Sequence, residues 1–410
     1  MSSLQKIYII SSCTILVFLA WGCGDILTET PASEELLAEP IPGLTGSQLN
    51  AHVIGDEEFG AIFTPEQGLG PIFVSNSCES CHIGDGKGHP ITTLTRFGRY
   101  EDGTWDPLSK FGGPQQQNRS IENYPAEKIP DQANGVTNLM PPAVTGLGFL
   151  EAVPDSTLIG LADPRDENND GISGRLNLIN PPDFFVPKQH HVQIDDKFIG
   201  RFGKKASAID LLHQTVTAYK QDMGITSDFD TEDIYNPAVG PFTGDEADDP
   251  EISASTVLSV VFYLQTLKVP PRRDQARPEV QQGEQLFNDI NCSSCHIPTL
   301  RTRDSDIAHL DNKTFHPYTD LLLHDMGPEL DDGYIQASDE RAEWRTAPLW
   351  GIGLAETTQG GRAFYLHDGR AETLEEAILY HGGEAADSKE DYQALSDQDK
   401  KRLIAFLKSL

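Results

Sequence analysis

The chain has 410 residues, with 63 acidic against 31 basic side chains, a formal net charge of −32, and six cysteines. So acidic a chain excludes nucleic acid and anionic membrane surfaces as partners held by charge, and it fits a basic redox partner or plain solubility. The length is enough for two or more domains.

Lys6 precedes a largely apolar run, Ile7 to Ala20, which is too short to count on as a membrane span and ends at Trp21-Gly22-Cys23. A small residue followed by Cys is the pattern of a bacterial lipoprotein signal, although Trp21 is atypical for it. Residues 1–22 are therefore expected to be a signal, with Cys23 carrying a diacylglycerol thioether. An ordinary cleaved signal peptide is the alternative. Either way the folded part is expected on the periplasmic side of a bacterial membrane or on the outer surface. Residues 23–46 are rich in Glu, Pro and Thr and read as a flexible tether.

The first chemical motif is Cys78-Glu79-Ser80-Cys81-His82, and a second copy, Cys292-Ser293-Ser294-Cys295-His296, follows far downstream. Two thiols three residues apart can add to the two vinyl groups of one porphyrin, and the adjacent His then reaches the iron as proximal ligand. Zinc hooks or redox dithiols explain the paired thiols but not a His directly after both pairs. Two covalent haem c groups are therefore expected. Phe73 and Phe287 each stand five residues before their motif. With Cys13 leaving in the signal and four cysteines on haem, only Cys23 remains, which suits lipidation.

Between the motifs, Asp166-Glu167-Asn168-Asn169-Asp170-Gly171 carries oxygen ligands at alternate positions followed by Gly, a calcium-loop pattern. Asn177 stands where a complete loop would have Glu, so the alternatives are bound calcium through Asp166, Asn168 and Asp170, or a solvated turn. Val257, Val260, Val261 and Leu264 recur at helical spacing, as do Leu403, Phe406, Leu407 and Leu410, and Ser396 with Asp399 starts the last helix. Tyr263-Leu264-Gln265-Thr266-Leu267 matches Phe406-Leu407-Lys408-Ser409-Leu410. Val144 to Gly148 matches Leu349 to Gly353, and Phe149-Leu150-Glu151 matches Tyr365-Leu366-His367, each six residues ahead of a Thr-Leu pair. Blocks matched in the same order indicate an internal duplication. The expected fold is mostly α: two cytochrome c-like haem domains with long loops, residues 47–272 and 273–410, joined near Val269 to Arg273.

The stretch from Gly68 through Cys78 to Gly88, Asp222 to Thr226, Leu321 to Pro328, Trp344 to Trp350, and Leu366 to Ala371 with Glu375 to Ala377 resembles the dihaem oxidoreductase family, also described as dihaem peroxidases or "thiol oxidoreductases". More distantly the chain is similar to bacterial dihaem cytochrome c peroxidases. The resemblance implies that the C-terminal haem relays electrons from a redox partner such as a small cytochrome, and that hydrogen peroxide reacts at the N-terminal haem. It also puts the sixth ligand of the C-terminal haem fourteen positions after His367, at His381, where those peroxidases usually have Met; Met326 is a rival. For the iron on His82 the sixth-ligand candidates are Met140, His89, Met223 and the pair His190-His191, or the site is open. Repeat alignment nominates Glu151 as its acid/base, against a surface Glu. Trp350 and Trp344 are candidates for assisting electron transfer between the haems. A non-catalytic dihaem carrier, with both irons six-coordinate, and an oxidase of an organic or protein substrate are the alternative functions.

Overall fold

The computed structural model describes residues 37–410 except 245–246 and 338–339. The expected signal, Cys23 and most of the expected tether lie outside the described residues. No helix among the described residues is long and apolar enough to cross a membrane.

Two helix pairs organise the fold. α1 (Gly46–Gly60) begins with a capping box in which Thr45 accepts from the Gln48 backbone N–H and the Gln48 side chain accepts from that of Thr45. After β1 (Ile72–Phe73), β2 (Leu94–Glu101), β3 (Thr104–Asp106), β4 (Arg119–Ser120) and β5 (Gly135–Leu139) come α2 (Leu147–Glu151) and α3 (Asp155–Leu161). β6 (Leu178–Ile179), β7 (Gln193–Ile194) and β8 (Lys197–Ile199) lead to α4 (Leu211–Met223) and α5 (Ala254–Thr266). The second half holds α6 (Pro278–Asp289), β9 (Leu300–Arg301), β10 (Thr314–Phe315), β11 (Leu323–Asp325), β12 (Glu343–Arg345), α7 (Ala355–Thr358), α8 (Leu374–Tyr380), α9 (Ala386–Ala394) and α10 (Asp397–Ser409).

α1 crosses α5, and α6 crosses α10, with the same contacts. At the first crossing a Cβ on Gly55 would lie 2.2 Å from the Ser259 carbonyl oxygen; at the second, a Cβ on Gly283 would lie 2.0 Å from that of Arg402. Only glycine lets the backbones approach so closely. The repeat extends further. Ile41 donates its N–H to the Thr266 carbonyl at 2.7 Å, as Arg273 does to that of Ser409 at 2.7 Å. The end of the expected tether is thus docked: Ile41 is 2 % exposed, Leu37 is buried, and Lys268 pairs with Glu39.

The expectation of a mostly α fold is corrected here: the described chain is 32 % helix and 13 % strand. The long segments between the haem motifs and the closing helices fold into short antiparallel ladders. β2 sits between β3 and β5, β8 between β6 and β7, and β11 pairs with β12. β5 alternates buried and exposed residues, the period-2 pattern that a strand needs. Residues 37–410 form one compact unit. The larger core centres on α4 and α5 and extends to Phe315, Leu322 and Trp350, so residues of both halves share it.

Candidate functional site

Both Cys-x-x-Cys-His segments make the same tight turn. The backbone N–H of His82 reaches the Cys78 carbonyl at 3.0 Å, and that of His296 reaches the Cys292 carbonyl at 3.1 Å. Each imidazole is then fixed from behind. His82 Nδ1 lies 2.8 Å from the Pro142 carbonyl oxygen and His296 Nδ1 lies 2.9 Å from that of Tyr318. A carbonyl only accepts, so Nδ1 carries the proton and Nε2 presents its lone pair. Burial pushes both histidines down to about 4, which keeps the rings neutral and ready to ligate. Burial likewise pushes the Cys78 and Cys292 thiols up to about 12. The aromatic backing also repeats, with Phe59 6.1 Å from the His82 ring and Phe287 6.3 Å from that of His296.

Both motifs open on one connected cavity of about 500 Å³, lined by His82, His296 and His381 and walled by apolar side chains such as Leu211, Tyr219, Trp350 and Leu407. Paired thiols, an imidazole with a free Nε2 and an apolar cleft are the donor set that a haem requires, so the residues fit two such groups.

His381 ends α8, where its Nδ1 lies 2.8 Å from the Ala377 carbonyl oxygen, which again leaves Nε2 available. It is close enough to His296 that a charge on it counts against protonating that residue. Met326 lines the cavity as well. Around His82 the candidates separate. Met140 and Met223 line the cavity, whereas His89, His190 and His191 do not. His89 accepts from the Ile91 N–H at 3.2 Å and His191 from that of Lys188 at 3.1 Å. The Met140-Pro141-Pro142 loop supplies the Pro142 carbonyl behind His82. Met140 Sδ accepts from Gln359 Nε2 at 3.8 Å.

Glu151 is placed away from the cavity. One carboxylate oxygen accepts from the Leu211 N–H at 2.9 Å at the start of α4, and the other accepts from Gln265 Nε2 at 2.6 Å. Its match with His367 fails locally, since Glu151 closes a helix while Leu366 turns the chain with φ +69°. His367 lines the cavity and stacks on Trp344, with centroids 3.8 Å apart and planes 12° from parallel. Trp350 also lines the cavity.

In the expected calcium loop the side chains serve their own backbone. Asp166 accepts from the N–H groups of Asp170 and Gly171, Asn168 from that of Asp170, and Asp170 from that of Ile172. Asn177 is turned away toward the Lys205 carbonyl at 2.6 Å. Among the described residues, acidic oxygens converge at Asp233, Asp249 and Glu251.

One group escaped sequence reasoning. His324 is buried between two carboxylates, Nε2 2.8 Å from Asp320 and Nδ1 2.7 Å from Glu384, with Cys295 Sγ 3.5 Å away. Burial alone would lower its pKa, but these bonds outweigh it and push the ring up to about 12. Glu384 also holds Ser173 through its backbone N–H and hydroxyl, so the network ties the acidic loop to the turn after His381. A His in a Leu-rich strand gives no sign of partners 4 and 60 residues away.

Residues 115–410 match the model of the family described as "Di-haem oxidoreductase, putative peroxidase". No curated protein matches the chain. Among solved structures, a MauG-like protein associated with microbial copper homeostasis is 16 % identical, with 94 % of this chain and 95 % of that one covered and a TM-score of 0.39. Hydrazine synthase of Kuenenia stuttgartiensis, pressurised with xenon, is 14 % identical over 94 % and 97 %, with a TM-score of 0.36. With the family matched over most of its length and two such imidazole sites opening on one cavity, the chain belongs to the di-haem oxidoreductases and is a redox enzyme that uses haem.

Proposed function

We propose that the chain is a peroxidase-like enzyme in which hydrogen peroxide is reduced at the haem on His82, with electrons arriving from the haem on His296. The two haems are held by thioethers to Cys78 and Cys81 and to Cys292 and Cys295. When bound, they supply one-electron transfer and the reductive cleavage of the peroxide O–O bond, which consumes two electrons and two protons and yields two waters.

The asymmetry between the two imidazoles carries this reading. His296 shares its part of the cavity with His381, whose Nε2 would be available to hold the same haem. Two imidazoles would close that iron to small molecules and suit it to electron transfer. Among the described residues, the remaining cavity-lining imidazole is His367, and it is committed to the Trp344 stack, with its Nε2 3.6 Å from Asp332. His82 is therefore left without an imidazole to face it. The net charge of −32 supports a basic redox donor, such as a small cytochrome. Export and lipidation at Cys23 complete the proposal, with the enzyme on the periplasmic side of a membrane or on the outer surface.

The test is anaerobic stopped-flow mixing of the fully reduced holoprotein with one equivalent of peroxide. Oxidation of both haems at a rate first order in peroxide is expected. Haems that stay reduced over the same interval would rule the proposal out.

A further inference from the structure

The acidic chain puts a group of cations against its cavity. Lys87, Lys204, Arg345 and Arg96 all line it and are all partly accessible there. Lys204 sits in a turn that starts at Gly203, whose φ of +81° is in the left-handed region. Strand β12 clamps this turn: the Arg345 N–H bonds the Lys204 carbonyl at 3.0 Å and Arg345 Nε bonds the Gly203 carbonyl at 2.8 Å. The next residue, Lys205, points the other way, into the protein, to the Glu343 carbonyl at 2.7 Å. Two adjacent lysines are thus divided, one to hold the chain together and one to face the cavity.

These cations lack counter-charges. Among the described residues no carboxylate lies within ion-pair distance of Lys87, Lys204 or Arg345, whereas the buried Arg201 has Asp155. Lys87 has only the face of Tyr365, 5.3 Å away. Arg345 gives Nε and Nη1 to carbonyls, the latter to Thr346 at 3.2 Å. The acid that favours the charged lysines, Asp368, is already held by Arg370 at 2.7 Å, and Asp320, which favours charged Arg345, is held by His324 at 2.8 Å. Burial lowers Lys87 to about 8 and Arg345 to about 10, and it lowers Lys204 well below the usual lysine range, with Lys87 and Arg345 adding to that last shift. Three cations gathered in a low-dielectric cleft are costly unless an anion joins them.

We propose that Lys87, Lys204 and Arg345 form a carboxylate-binding cluster in the cavity, and that its ligands are the propionates of the bound haems. Arg345 offers the planar donor edge that suits a carboxylate, and the lysines supply charge. Arg96, tied to Gln221 at 3.1 Å, lines the same cavity. This inference needs haem in the cavity but not peroxide chemistry, so it can fail while the proposed function stands, and the reverse.

The test uses the holoprotein and its Lys204→Gln and Lys204→Arg variants. Resonance Raman of the propionate bending bands and spectroelectrochemical midpoint potentials are the readouts. A cation beside a propionate favours the ferrous haem, which carries one positive charge fewer than the ferric form, so Lys204→Gln should shift the propionate band and lower the midpoint potential of one haem. Lys204→Arg should restore both, which a packing defect would not do. Titration with acetate and benzoate distinguishes the source of the carboxylate. A saturable spectral response in the wild-type protein that Lys204→Gln abolishes, with propionate bands unmoved, would assign the cluster to a free carboxylate ligand and overturn the propionate assignment. Unchanged bands and potentials with no anion response would overturn the cluster itself.

Discussion

Phe59 packs on Tyr263 with ring centroids 5.4 Å apart, and Phe287 repeats that contact on Phe406 at 5.2 Å. Each pair sits one helical turn after a glycine at a helix crossing, Gly55 and Gly283, and each Phe backs the imidazole of a Cys-x-x-Cys-His turn. The crossing glycine and the aromatic pair thus fix where the haem-bearing turn can lie relative to its closing helix.

Gly55→Ala should therefore destabilise the protein by about 1–3 kcal/mol, because a methyl group at the crossing forces two helix backbones apart. Gly283→Ala should do the same for the second crossing. Urea unfolding of the holoproteins measures both, and a midpoint unchanged from wild type would show that the crossings absorb the methyl group.

The duplication was legible in part. Gly146 and Gly351 both have φ +71°, and a Cβ on Gly148 or Gly353 would lie 2.0 or 2.1 Å from the carbonyl oxygen of Gln265 or Lys408, as the matched blocks imply. The cap at Ser396 also forms, with its hydroxyl accepting from the Asp399 N–H at 3.2 Å. Phe73 was matched wrongly. It lies in β1 beside β4, and Phe59 is the counterpart of Phe287, since an insertion after α1 moved the motif away from its helix. Equal spacing along the chain hid a longer loop. The strands were missed because two- and three-residue ladders leave little periodicity to read. The supports of the imidazoles, the carbonyls of Pro142 and Tyr318, are backbone atoms of distant loops, which side-chain identity does not reveal.

His324 should make stability fall with rising pH. Its folded-state pKa is raised to about 12, above the unfolded value of about 6.5. Its contribution is thus complete below about pH 6.5 and declines as pH climbs toward 12. His324→Gln, which leaves two buried carboxylates without their cation, should cost about 3–5 kcal/mol at pH 6. The difference between wild type and variant in urea midpoint should be smaller at pH 9; an equal difference at both values would count against a charged His324.

Glu151→Gln separates a structural role from a catalytic one. Both oxygens of Glu151 are held by N–H donors of α4 and α5, so the change should cost about 1–3 kcal/mol of stability. Peroxide turnover per folded holoprotein should be roughly unchanged. A large loss of kcat at normal stability would return Glu151 to the chemistry.

His381→Ala should open the second iron. The variant is expected to keep both thioether-bound haems by pyridine haemochrome assay, and to gain a high-spin signal in its optical and EPR spectra. A spectrum identical to that of wild type would mean that another side chain, with Met326 on the cavity wall the alternative, closes that site.

The central claim is that one iron is open and the other closed, and carbon monoxide binding to the fully reduced holoprotein tests it most directly. Optical titration should give one CO per two haems, rising to two in His381→Ala. No CO bound by the wild-type protein, or two, would contradict the division of roles between His82 and His296.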